Sequence, residues 1–340
     1  MGVKIMLEEI ENDVNDVVNT NFVYEDTGVV PNKSDSDLTY ESGVDKKGKK
    51  IKTCVLFVDI RNSVSLTEKH HNQTMGKIYT AFTKAVLKAA RYHKGHIRNI
   101  IGDRVMIIFP SKDCFTNAVE CAISISHIAQ NIIAKSFNAV EFKCGIGIDY
   151  GEMRVIKVGI QRYGTENEHS KGLVWVGLPA NIASRLTDSA NKKIEETYYE
   201  VLRHPINLRK YNMYLGLPPI YNSFFHFEGI SKLDNSREPE YLPNIETLEM
   251  TLEEFANQIN CSNTGELKMI WGKFVKFTKK TRTTIYPEIL MTEEVYNGFK
   301  KANPQNKSIQ NNYWKVYKHH IKNVDQKIYG GNVFWNSNNI

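Results

Sequence analysis

Two short apolar runs, each carrying one carboxylate at its end or corner, constrain this chain most. The first reads Thr53-Cys-Val-Leu-Phe-Val-Asp59-Ile60-Arg61-Asn62-Ser63-Val64. Its β-branched and aromatic residues predict a buried strand that delivers Asp59 to a short polar turn. The second, Ile100-Ile-Gly102-Asp103-Arg-Val-Met-Ile-Ile-Phe109, predicts two strands between Ile97 and Phe109 joined at Gly102-Asp103. That corner can be no more than an Asp-bearing hairpin turn. Alternatively, two carboxylates at the edges of adjacent strands can hold a pair of divalent cations.

The rest of the composition narrows the class. A chain of 340 residues can hold two domains, or one domain enlarged by an insertion. It contains no apolar run of about 18 residues, and the acidic start Leu7-Glu-Glu-Ile-Glu-Asn-Asp does not fit a secretory signal. A cytoplasmic protein with no membrane partner is the expectation. The net charge of +6 is mild and spread along the chain, which suits anionic ligands without requiring nucleic acid as a partner. Cys54, Cys114, Cys121, Cys144 and Cys261 are widely spaced with no CxxC pair, so they read as reduced core residues and not as a zinc site.

Residues 1–50 read as a polar, partly flexible lead-in arm that opens on a short amphipathic stretch. It ends on the basic run Lys46-Lys-Gly-Lys-Lys-Ile-Lys52, expected to be a solvated strand edge or loop. Met75, Ile78, Tyr79, Phe82, Val86 and Ala90 recur at helical spacing and predict an amphipathic helix ending near Gly95. A second, well-buried helix is expected from Phe115 to Ala134. Alternation at Val140, Phe142, Cys144, Ile146 and Ile148 predicts a strand, with a return strand from Gly151 to Val155. Gln161 to Lys171 reads as a loop, and Leu173 to Val176 as a short strand.

The segment Gly177-Leu-Pro-Ala-Asn181-Ile-Ala-Ser-Arg185-Leu places proline at a helix start, and puts an amide and a guanidinium one turn apart on one face. After Asn191 the composition turns rich in Tyr, Pro and Asn, with an aromatic cluster at Tyr211, Tyr214, Phe224, Phe225 and Phe227. Short helices are expected at Leu252 to Ile259 and Leu267 to Phe277. A strand and capped helix follow at Ile289-Leu-Met-Thr-Glu-Glu-Val-Tyr296, and a terminal strand at Asn332 to Trp335. His70-His71 and His319-His320 read as surface pairs.

Taken in order, Asp59, Asp103, the Asn181/Arg185 helix and the Ile289 to Tyr296 unit resemble the class III nucleotide cyclase catalytic domain. The resemblance implies an α+β fold with a ferredoxin-like βαββαβ core, an antiparallel-rich sheet flanked by helices, and an inserted lobe. The implied organisation is an arm at 1–50, catalytic segments at 51–191 and 285–340, and an insertion at 192–284.

By the same resemblance, Asp59, Asp103 and the Ile60 backbone carbonyl would bind two Mn or Mg ions. The turn Arg61-Asn62-Ser63 would offer N–H groups to the substrate's phosphates. Asn181 would position the ribose and Arg185 would stabilise the α-phosphoryl transition state. These last two act on a partner's site in the family, so a homodimer with composite sites is expected.

The adenylate enzymes of this family place a Lys three residues before the Gly of the Gly-Asp corner, and an Asp or Thr seven before the Asn; the guanylate enzymes place Glu and Cys there. Asn99 and Val174 occupy these positions here. Asn99 carries a donor and an acceptor that can read the edge of a pyrimidine. With its Arg61-Asn62-Ser63 turn, Gly102-Asp103-Arg104 corner and preceding polar arm, the chain resembles the bacterial antiphage pyrimidine cyclases of the Pycsar type. A UTP substrate, with CTP next, and a separate effector that senses the cyclic product are therefore expected. A class III adenylate cyclase with an atypical base pocket, or a cyclase-like nucleotide sensor, are the alternatives.

Overall fold

The computed structural model describes residues 2–162, 165–207, 240–261, 265, 267–270, 272–317 and 321–335. The chain divides into two compact units. One comprises Met1–Lys192 with Ile285–Ile340, the other Lys193–Thr284.

The first unit is built on β2 (Lys46–Ile60), α2 (Ser63–Lys69), α3 (Asn72–Tyr92), β3 (His96–Ile101), β4 (Arg104–Ile108), α4 (Cys114–Ile128), the short α5 (Ala134–Ser136) and β5 (Cys144–Arg162). The neighbouring order β5-β2-β4-β3, antiparallel throughout, is the expected βαββαβ core. β12 (Ile289–Thr292) joins β5 in parallel, and β14 (Ile328–Gly331) and then β13 (Lys315–Tyr317) extend the sheet beyond it. β1 (Phe22–Thr27) adds to the first half of β2, and β6 (Thr165–Val176) to the second half of β5.

Alternation along β2 sends its residues to two different cores. Cys54, Leu56, Val58 and Ile60 face α3, α4 and the helix Glu293–Ala302, where Met75, Ile78, Phe82, Val119, Ile123 and Phe299 are buried. Each fully buried side chain of this size contributes about 1.5–3 kcal/mol. Ile51 and Val55 point the other way. They pack with Met106, Ile108, Met153, Val155 and Ala183 beneath Val30 and Leu38 of the N-terminal arm. Asp59 shares the parity of Val55 and Phe57, so it emerges on this second face, the one that carries helix α6 (Leu178–Ser189).

Several local expectations are corrected. Gly151 does not turn the chain, because β5 runs unbroken from Cys144 to Arg162 and pairs with β2 along most of its length. The polar residues 161, 162 and 165–171 are strand, since β5 and β6 pair as a ladder whose hydrogen bonds do not require apolar side chains. The lysine run is not a solvated edge: Lys46 is buried against Asp16 at 2.9 Å, and Lys49 bonds Asp35 and Asp37 at 2.8 and 2.9 Å. Lys46, Lys49 and Lys50, the last 3.4 Å from Asp26, are locally matched, whereas Lys47 and Lys52 are exposed. Val140 and Phe142 are buried but precede the strand, and the terminal strand is Ile328–Gly331, ahead of the expected Asn332–Trp335. Four cysteines are buried, but Cys261 is exposed. Helix α1 (Val3–Asn19) buries none of its residues, and Asp16 ties it to the body through Lys46 and the Gly43 N–H. No described helix is long and apolar enough to cross a membrane.

One buried acid gives a stability prediction. Asp149 on β5 is 1% exposed and accepts a 2.6 Å hydrogen bond from Thr292. Burial is the main cause that pushes its pKa up to about 6. A raised carboxyl contributes stability while protonated, and that contribution is lost as pH rises from about 4 through 6. Asp149→Asn keeps an acceptor for Thr292 and removes the buried charge. It should stabilise the fold at pH 7 by on the order of 2–3 kcal/mol, with the gain vanishing near pH 4. Urea unfolding midpoints at the two pH values check this.

In the second unit, β7 (Lys193–Pro205), β8 (Glu246–Met250), β9 (Ile259–Cys261), β10 (Leu267–Met269) and β11 (Gly272–Ile285) form a sheet in the order β8-β7-β11-β10-β9. A short helix at Leu252–Ala256 is closed by a capping box between Thr251 and Glu254. Val201, Met250, Phe255 and Met269 form its core. In place of the expected helix from Leu267 to Phe277, Leu267–Met269 and the residues from Gly272 onward are strand. The Thr-rich continuation through Ile285 favours an extended backbone, and this outweighs the helical spacing of Phe274 and Phe277. The aromatic cluster between Tyr211 and Phe227, and the pair His319-His320, lie outside the described residues.

Candidate active site

The end of β2 and the β3–β4 corner bring the two predicted acids together. Asp59 and Asp103 stand close enough for the charge of one to act on the other. Burial, and then the neighbouring Asp59 charge, raise the Asp103 pKa above the ordinary carboxylate value. One Asp103 oxygen, Oδ2, is buried with no hydrogen-bond partner. An orphaned acceptor beside a second carboxylate is a costly arrangement unless a cation completes it.

The turn after Asp59 is placed differently from its expected phosphate-facing role. The Arg61 side chain is 5% exposed, and its guanidinium donates to the carbonyls of Thr187 at 2.8 Å and Asp188 at 3.3 Å. Its N–H donates to the Lys143 carbonyl at 2.8 Å. The guanidinium thus ties β2 to the C-terminal end of α6, where a cation also complements the helix dipole, and the backbone N–H is engaged at the residue before β5. Asn62, exposed and left-handed at φ 56°, and Ser63 at the start of α2 are the two turn residues not held this way.

Arg104 is the residue that the sequence reading missed. It follows Asp103 directly, and its guanidinium joins three groups. Nη2 donates to Asp59 Oδ2 at 2.8 Å and also to Asp188, while Nη1 donates to the Ser184 hydroxyl at 2.9 Å. The helical spacing of Ser184 and Asp188 relative to Asn181 and Arg185 was a readable signal. Their joint approach to Arg104 was not, because only the sheet brings β4 under α6.

Helix α6 carries Pro179 in its first turn, as expected, and buries Ile182, Ala183, Leu186 and Thr187 on the sheet. It lies close because β5 has no side chain beneath it: a Cβ at Gly147 would stand 2.3 Å from the Ala183 carbonyl oxygen. Asn181 is exposed, and Arg185 donates to the Lys322 carbonyl at 3.1 Å. The structure thus presents this pair on the outer side of α6.

Asn99 is exposed on β3, next to a bulge that shifts the ladder between Ile97 and Asn99. Val174 is 42% exposed on β6. Their chain neighbours meet: the Arg98 guanidinium lies 5.7 Å from the Trp175 ring centroid, with Arg98 Nε and Trp175 Nε1 both buried and unpartnered.

Among the described residues, no group of three or more His, Cys, Asp and Glu side chains converges. The acid pair still fits a divalent cation, because carboxylates, a carbonyl, water and substrate phosphates are its usual hard ligands. Asp59 and Asp103 would hold it through their oxygens. Ile60, whose side chain is 3% exposed in the core, has only its backbone carbonyl to add.

Residues 46–209 match the family described as the adenylate and guanylate cyclase catalytic domain. A uridylate cyclase of Burkholderia cepacia is 31% identical over 173 residues, covering 49% of this chain and 71% of that protein. One from Xanthomonas perforans is 28% identical over 210 residues, 59% of this chain and 84% of that protein. A cytidylate cyclase of Staphylococcus aureus is 31% identical over 107 residues, 29% of this chain and 25% of that protein. Among solved structures, the adenylyl cyclase CyaB of P. aeruginosa aligns at a TM-score of 0.43 and 14% identity, over 83% of this chain and 94% of that one. The chain belongs to the class III nucleotide cyclase family, whose catalytic domains bind nucleoside triphosphates and generally use divalent metal ions.

Proposed function

We propose that this protein is a metal-dependent pyrimidine nucleotide cyclase. It converts UTP, with CTP as the next substrate, to the 3',5'-cyclic nucleotide and pyrophosphate. The paired acids with an orphaned oxygen support the cyclase chemistry. The base is carried by one observation: Asn99 and Val174 stand where the purine enzymes place their base-reading pairs. The named activities of the bacterial relatives agree with that reading.

In this account the ribose 3'-oxygen attacks the α-phosphorus, loses its proton and displaces pyrophosphate. Asp59, Asp103 and the Ile60 carbonyl would hold two Mn or Mg ions, which would lower the pKa of the 3'-hydroxyl and neutralise phosphate charge. Arg185 meets charge on the α-phosphoryl oxygens and Asn181 orients the ribose. Asn62 and Ser63 are the turn residues left to contact phosphate, and Asn99 reads the pyrimidine edge. The exposure of Asn181 on α6 supports its use by a second copy of the chain, giving a homodimer with two equivalent sites. The cyclic product would act on a separate effector in antiphage defence.

Incubation with Mn and equimolar ATP, GTP, CTP and UTP, followed by mass spectrometry, tests the substrate. Cyclic UMP should dominate, with cyclic CMP second. Dominant cyclic AMP would replace this reading with an adenylate cyclase of atypical pocket. No cyclic product from any of the four would favour a nucleotide sensor.

A further inference from the structure

Asp59 is asked to bind a cation, yet one of its oxygens already holds one. Arg104 Nη2 lies 2.8 Å from Asp59 Oδ2, and the same nitrogen also donates to Asp188. Arg61 stands farther off, at 3.7 Å from that oxygen, and is fixed to the Thr187 and Asp188 carbonyls. Of the two guanidiniums, Arg104 is therefore the one able to leave Asp59, and it has somewhere to go. Its side chain is 27% exposed and the Asp188 side chain 51% exposed, so both can adjust without disturbing the core. Ser184 anchors the other arm of the fork at 2.9 Å.

We propose that Arg104 is a displaceable latch: in the metal-free chain it closes Asp59 against α6, and a divalent cation binding Asp59 drives it wholly onto Asp188 and Ser184. This rests on the metal-binding role of Asp59 and not on the identity of the base. A carboxylate oxygen held by a guanidinium must lose a charge-assisted hydrogen bond before it can serve as a full metal ligand. Arg104 thus weakens metal loading, and Asp188 eases it by offering a second anion.

The transfer has a structural consequence for α6. Ser184 and Asp188 flank Arg185 within one helical turn, and Asn181 lies on the same side. A guanidinium that moves its charge from β2 to this helix alters the field around Arg185 when the acids load. In a dimer with composite sites, α6 of one chain serves the acids of the other. Arg104 is then a positioning residue that informs one site of metal loading at its neighbour.

The test is Mn binding to the nucleotide-free full-length protein, read from the loss of the free Mn resonance in EPR spectra. Arg104→Gln should bind Mn about tenfold tighter than the parent, since about one charge-assisted bond no longer competes. Asp188→Asn should bind several-fold more weakly, because Arg104 loses its alternative partner, and the double variant should behave as Arg104→Gln alone. A merely structural Arg104 would not give shifts of opposite sign that resolve in this order. Equal or weaker binding by Arg104→Gln, or unchanged binding by the surface variant Asp188→Asn, would overturn the latch while leaving the acids as metal ligands. If the parent, Arg104→Gln and Asp188→Asn all fail to bind Mn above an Asp59→Ala control, the metal-binding role of Asp59 fails with it.

Discussion

Arg185→Ala is expected to fold, to dimerise and to lose nearly all turnover. Its hydrogen bond in the free chain is to the exposed Lys322 carbonyl, so removing it costs the fold no more than about 1 kcal/mol. Its proposed role lies in the transition state, where charge collects on the α-phosphoryl oxygens. Loss of one such preorganised donor costs on the order of 3 kcal/mol, roughly a hundredfold or more in kcat. Because the donor acts on the transition state more than on the bound substrate, KM should change far less than kcat. Steady-state kinetics, with circular dichroism and sizing of the variant, check all three statements. Turnover at the parent level would remove Arg185 from the chemistry.

Asp103→Asn should have the opposite effects on activity and stability. Metal-dependent cyclisation should fall to background, because an amide oxygen is a poor replacement for a carboxylate on a hard cation. The metal-free protein should become more stable at neutral pH. Burial and then Asp59 raise the folded pKa of Asp103, so its stabilising contribution exists only while it is protonated and is lost as pH rises through the raised value. The neutral amide escapes that loss. The variant's advantage should therefore be present at pH 7 and fade in acid, below the raised pKa, where the parent carboxyl is also neutral. Denaturant titrations of metal-free protein at neutral and acid pH measure it, alongside product formation at neutral pH. A variant that cyclised normally, or was less stable at pH 7, would contradict the assignment of Asp103 as an acid held ready for a cation.

The parts of this molecule legible in the sequence were those governed by local periodicity. The run to Asp59, the Gly102-Asp103 corner, the stripe from Met75 to Ala90 and the Pro179 helix start each carry their signal within about twenty residues, and each element is found close to its expected span. Misreadings occurred where local signals were overridden. Gly151 looked like a turn, but its strand is held straight by an unbroken ladder to β2. Lys46 and Lys49 looked solvated until distant Asp16, Asp35 and Asp37 were brought onto them. The same limit applies at the site. The acids could be read from their strands, but the use of Arg61 as a pin for α6 and of Arg104 as a link from Asp59 to Asp188 depends on contacts separated by up to 127 residues. Period and composition carry no record of such contacts.

Pairing of two inactive variants tests the central claim most directly, namely that the acids of one chain work with the α6 helix of another. Asp59→Ala and Arg185→Ala, each with its own affinity tag, can be produced together and the doubly tagged dimer isolated. Such a dimer has one site with both lesions and one with neither. Its metal-dependent formation of cyclic nucleotide should return to about half the parent rate per dimer, while each singly tagged parent variant stays near background. A doubly tagged dimer as inactive as its two components, or the failure of any such dimer to form, would contradict the composite site.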